Sequence, residues 1–390
     1  MDRLCSLRSR ATGAVLAIGL TVLFASAAGA GPTERMQAKR MHDRLVGVPP
    51  SESVLSSMEA SIVAGDPVAA AYTAMNDPIF YTSALKNFAA PWTNVPRSVF
   101  VDLNDYTATV IGMIRDDVPF NTVLSADLIY IGAGYSHTDN NDYLALQNSN
   151  ADLSNPAVLR GVPQSTLPGA QIMSTEAAGV VTTRAGSEAY FSAGTNRRMW
   201  RFTAINYLCR DMEQLNDITR PADYIRQDVS RSPGGDSRIF HNTCVGCHSG
   251  MDPLAGAYAY YQWDDTAMRM VFTRGVVQPK FLINANSFPG GHVTTSDQWW
   301  NMWRVGPNSN LGWRGPAASG NGAQSLGVEI GMSRAFSECQ VTKVFTRVCL
   351  HAPNSAADFA QVQTIADDFE TSNYSMKRVF AETAAYCMGN

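Results

Sequence analysis

The stretch NTCVGCHSGMDPLAG, residues 242–256, constrains this chain more than any other part of it. It sets Cys244, Cys247 and His248 in the order C-x-x-C-H. On a helix that spacing puts two thiols about one turn apart, with an imidazole beside the second. Two such thiols can add to the two vinyl groups of a porphyrin, and the adjacent His then supplies the proximal ligand to its iron. Three other chemistries use a C-x-x-C pair. A thioredoxin-type redox pair wants a strand leading into the motif within a βαβ pattern, but the approach here is polar and Gly-rich. Structural zinc wants four closed ligands, usually with a second C-x-x-C or a spaced pair of His; neither is present, and only His241 and His292 are available for recruitment. A plain disulfide across C-x-x-C is strained. The motif therefore points to one covalent haem c on Cys244, Cys247 and His248, with His248 on the metal.

The first thirty residues agree with that chemistry. Arg3, Arg8 and Arg10 make a basic start, residues 11–25 form a short apolar run, and Ala28-Gly29-Ala30 supplies a small-x-small cleavage site before Gly31. The apolar run is short for a span of about 20 residues. The expectation is an exported chain, periplasmic or secreted and bacterial, in the compartment where haem is attached to C-x-x-C-H. Cleavage moves the net charge from −4 to −6, because the leader carries three Arg against one Asp. A soluble, mildly acidic mature chain has no nucleic-acid footprint and no membrane span.

The fold class expected is mostly α: a helical N-terminal region, then a loop-rich c-type haem domain and C-terminal helices. The divisions are residues 1–30 as signal peptide, 31–135 as N-terminal helical domain, 136–235 as linker loops and an amphipathic helix, and 236–390 as haem domain. Residues 49–65, with Pro49-Pro50-Ser51 as the helix start, 67–75 and 105–117 carry helical spacing. Residues 187–215 read as one strong amphipathic helix, with Met199, Phe202, Ile205 and Leu208 or Cys209 on one face and Arg197, Arg198 and Arg201 beside it. Residues 133–170 and 275–321 read as loops. Residues 333–349 form a further helix with Ser333 as its N-cap, and a last helical stretch lies within 355–387.

A haem with one His needs something on its other face, and Met, His or nothing gives different chemistry. Met332, Met302 and His292 are the candidates. Met251 is too close to His248 to reach across, and Met268 and Met270 come early. Tyr258, Tyr260, Tyr261, Trp263, Trp299, Trp300, Trp303 and Trp313 are either pocket walls or ordinary core. Arg238 and Arg269 are either partners for propionates or solvated cations. Of the remaining cysteines, Cys339 and Cys349 lie ten apart on one helix, too far to join. Cys209–Cys339 with Cys349–Cys387, or Cys209–Cys349 with Cys339–Cys387, remain. A last helix folding back on its neighbour favours Cys349–Cys387.

Several segments together resemble the planctomycete-type bacterial single-haem c-type cytochromes: RLVGVPPSESVL (44–55), DDVPFNTVLSADLIYIG (116–132), GVVTTRAGSEAYFSAGTNRRMW (179–200), CVGCHSGMDPLAG (244–256) and SRAFSECQVTKVFTRVC (333–349). In that family a D-P-L-G turn follows the haem His. Here Ala255 stands between Leu254 and Gly256, a one-residue departure expected to loosen the turn. The resemblance implies haem binding and electron transfer with a periplasmic redox partner, and it implies no substrate. Two other functions stay open: a haem enzyme with an open distal site acting on peroxide or a small molecule, and an interaction protein that haem merely staples.

Overall fold

The helices of this chain begin where a short polar side chain can take up their free N–H groups. Ser51 accepts from the amide of Val54, Asp66 from Ala69, Asn104 from Thr107, Thr183 from Gly186 and Ser333 from Phe336, and Ser355 forms a reciprocal capping box with Asp358. The computed structural model of the chain describes residues 32–389 apart from residue 193. The expected leader, residues 1–30, lies outside the described residues.

Helices α1 (Pro32–Val46), α2 (Glu52–Val63) and α3 (Pro67–Ala74) pack as a trio. A π-helical turn at Phe80–Leu85 runs into α4 (Lys86–Ala89). Helix α5 (Asp105–Arg115) is buried along its whole length and forms the centre of the molecule. Helix α6 (Asn141–Asn148) sits inside a region expected to be loop. Helices α7 (Arg184–Phe191) and α8 (Arg197–Leu208) replace the single helix expected over 187–215. The break has a local cause: Gly194 and Asn196 both adopt positive φ, which ends one helix and starts another. Helix α8 stops at Cys209, again in the left-handed region.

Helix α9 (Ser237–Ile239) continues through a π turn at Phe240–Cys244 into α10 (Val245–Ala255). Helices α11 (Gly322–Gly331), α12 (Arg334–Cys349), α13 (Ala356–Thr371) and α14 (Met376–Cys387) close the chain. Residues 355–387 thus form two helices, because Asn373 and Tyr374 both take positive φ between them. Strand structure is minor. Three separate antiparallel pairs join β1 (Ile129–Ile131) to β2 (Arg160–Val162), β3 (Tyr261–Asp264) to β4 (Arg269–Phe272), and β5 (Gln298–Trp300) to β6 (Ser319–Asn321). The fold is mostly α, as its sequence predicts.

One contiguous apolar core runs from Ala38 on α1 to Ala384 on α14. The first and last helices meet directly: Gln37 and Arg44 donate to the backbone carbonyls of Gly389 and Cys387. Two disulfides tie helices together, one at the end of α8 and one at the end of α14. Cys209 pairs with Cys339 and Cys349 with Cys387, at Cα separations of 5.3 and 5.4 Å, which selects between the two pairings open to the sequence. Among the described residues no helix is long and apolar enough to cross a membrane.

Candidate functional site

Helix α10 has two unlike faces. At 100° per residue, Cys244, Cys247, His248 and Met251 fall within about 100° of arc. The opposite face is made of small residues. A Cβ at Gly250 would overlap the indole of Trp303, and one at Gly246 would overlap the side chain of Asn216. The missing side chains let the α10 backbone settle onto the core, which turns the cysteine–histidine face outward. Asp252, Pro253 and Leu254 lie inside α10 rather than in a turn, so the expected turn after His248 is absent and Ala255 is the last residue of the helix.

Cys244 and Cys247 are free thiols, half-buried, in a chain whose other four described cysteines are paired. The Cys247 Sγ lies 3.4 Å from the carbonyl oxygen of Met212, and burial pushes its thiol up from the usual range. His248 is mostly covered, its side chain 22% exposed. Its Nδ1 is 3.1 Å from Oδ1 of Asp252, one turn later on the same helix. Its Nε2 makes no hydrogen bond among the described residues.

Asp252 is the buried hub of the site. Arg197 of α8 grips both its oxygens, Nε to Oδ1 at 2.6 Å and Nη2 to Oδ2 at 2.8 Å. The backbone N–H of Arg226 donates to Oδ2 at 3.0 Å. Arg197 also holds Asp228 through two bonds of 2.6 and 2.8 Å. Burial by itself would raise the Asp252 carboxyl. The charge of Arg226 and the hydrogen bonds from Arg197 and His248 outweigh it and hold the group well below the usual carboxylate range. Asp252 is therefore ionised, acceptor-only, and the Nδ1 proton of His248 points at it.

A cleft of about 520 Å³ reaches this face at Met251, and Cys244, Cys247 and His248 themselves do not line it. Arg197, Arg198, Arg201 and Phe202 of α8 form one wall, Asp211, Met212 and Glu213 another, and Met251 and Val95 complete it. Arg198 has no carboxylate partner among the described residues and bonds only to Ser192 Oγ, at 3.4 Å. The donor set fits a covalently held haem: two unpaired thiols one turn apart, an imidazole nitrogen without a partner among the described residues, and a guanidinium without a carboxylate partner. Among the described residues no three His, Cys, Asp or Glu side chains gather around one point; an iron held by His248 within a porphyrin needs no such gathering.

The other expected site residues lie elsewhere. Met332 caps α11 and is 38% exposed. Met302 precedes Trp303, which packs on the small-residue side of α10. His292 pairs its backbone with the chain around Arg226, and its ring lies against Tyr224 and Trp300. None of the three lines the cleft. Arg238 pairs with its own neighbour Asp236, and Arg269 donates to Gly169 on another cavity. Tyr258, Tyr261, Trp263, Trp299 and Trp303 are buried core. The sequence alone places Arg197 only on an amphipathic helix and Asp252 only in a D-P-L turn, and it gives no sign of Asp228. The His248–Asp252 spacing of four on a helix was the one local signal for them. Comparison with family models, with curated proteins and with solved structures returns no match.

Proposed function

We propose that this chain is an exported c-type cytochrome of the single-haem kind that its sequence resembles, exchanging one electron at a time with a periplasmic partner protein. The observation that carries the reading is the outward face of α10. Cys244 and Cys247 are unpaired beside two formed disulfides, and His248 presents Nε2 while Asp252 holds its Nδ1. Cys244 and Cys247 would hold haem through thioether bonds and His248 would be its proximal ligand. Bound there, haem supplies reversible one-electron exchange at its iron. The chain's own residues do the rest. Asp252 fixes the tautomer and orientation of His248, and Arg198 offers a cation to a propionate.

A second reading is a haem enzyme with an open face. Absorption spectra of protein exported together with haem-attachment machinery separate the two. Haem that survives denaturation, with a six-coordinate low-spin spectrum, supports the carrier. Covalent haem that is five-coordinate and high-spin supports the enzyme. C244A/C247A must abolish attachment in either case. A wild-type chain that carries no covalent haem overturns both.

A further inference from the structure

Asp252 does more than join two turns of one helix. Its carboxylate is fully buried and accepts from His248 on α10, Arg197 on α8 and the amide of Arg226, so three separate parts of the chain converge on two oxygen atoms. Around it Asp252 and Asp228 face Arg197 and Arg226, with Arg231 within electrostatic reach of both acids. The Arg226 Nε lies 4.0 Å from each carboxylate, and its Nη2 is taken by Thr195. Arg197 is the shared member, binding both acids at once.

A carboxylate that accepts the Nδ1 proton of an imidazole draws that proton away and leaves Nε2 richer in electrons. An iron ligated there is stabilised more when oxidised than when reduced, because it carries the higher charge. A guanidinium clamped on the same carboxylate works in the opposite sense, since it takes up the negative charge that His248 would otherwise feel. We propose that Asp252 is a positioning residue that sets the donor strength of His248 and thereby lowers the reduction potential of the attached haem, with Arg197 limiting how far. This rests on the haem reading above. A carboxylate serving only as one more charge in the network would move the potential no more than Asp228 does.

The test is spectroelectrochemical titration of the haem-loaded wild type, D252N, R197Q, R197K and D228N, with circular dichroism as the check on folding. D252N is expected to shift the oxidised-to-reduced balance at least tenfold toward the reduced form, an upward change of about 59 mV for one electron. R197Q is expected to shift it the other way, and R197K to recover most of that shift. D228N removes the same charge as D252N from the same network without touching His248, and its shift is expected to be less than half as large. An unmoved potential in D252N, or an equal shift in D228N, overturns the proposal. Should D252N not fold, R197Q and R197K decide it, and an R197Q potential equal to wild type overturns it. Haem that is attached but insensitive to these changes refutes this proposal alone, whereas a wild type without covalent haem refutes the reading it stands on.

Discussion

Removing the two disulfides one at a time should cost unequal amounts, in an order set by the chain they enclose. Cys209–Cys339 spans a sequence separation of 130, and Cys349–Cys387 one of 38. The loops follow one another without overlapping, so each constrains its own part of the unfolded chain. In the chain-entropy treatment the larger closure is worth about 5 kcal/mol at 25 °C and the smaller about 4 kcal/mol. C209A/C339A should therefore lose about 1 kcal/mol more than C349A/C387A. Urea unfolding of both double variants, followed by fluorescence and circular dichroism, measures the difference. The larger loop also ends at the C-cap of α8, just before the segment whose Met212 carbonyl meets Cys247, so its loss should be felt at the cleft. A C349A/C387A variant that loses more than C209A/C339A would refute the loop-closure argument.

Two further outcomes can be checked by unfolding. Lys280 Nζ donates to the carbonyl of Phe191 at 2.7 Å with no carboxylate beside it among the described residues, and burial pushes its ammonium down to about 8. Between pH 8 and about 10.4 the unfolded chain binds the proton and the folded chain does not, so stability rises with pH across that window, by at most ~1.4 kcal/mol per unit; K280M should flatten the slope, and an unchanged slope would count against the shift. Gly250→Ala pushes a methyl group into the buried Trp303 and should cost about 1–3 kcal/mol in urea midpoint measurements, whereas a cost near zero would mean that α10 can slide off the core.

Much of the fold was legible because its signals are local. Ser51 and Ser333 act as the caps their positions suggest, α3 and α5 fall where the apolar spacing puts them, and Cys349 meets Cys387 because α14 returns to α12. What was not legible depends on a backbone choice or on distance. A continuous apolar stripe over 187–215 hides the positive φ of Asn196, and a D-P dipeptide reads as a turn although Pro253 sits within a helix. Cys244, Cys247 and His248 could be picked out by spacing alone. Arg197 could not, since 55 residues separate it from the Asp252 it grips. Asp252 itself was within reach, as a carboxylate one helical turn from a histidine.

The meeting of α1 with the end of α14 has a consequence for how the chain folds. Arg44 donates to the carbonyl of Cys387 and Gln37 to that of Gly389, so α1 completes its contacts across sequence separations of 343 and 352. Until then α1 and α3 lack the surface of α14 against which they pack. Non-local closure of this kind slows folding and leaves apolar faces exposed until α14 arrives. Removing residues 387–389 should therefore loosen α1 before any other helix.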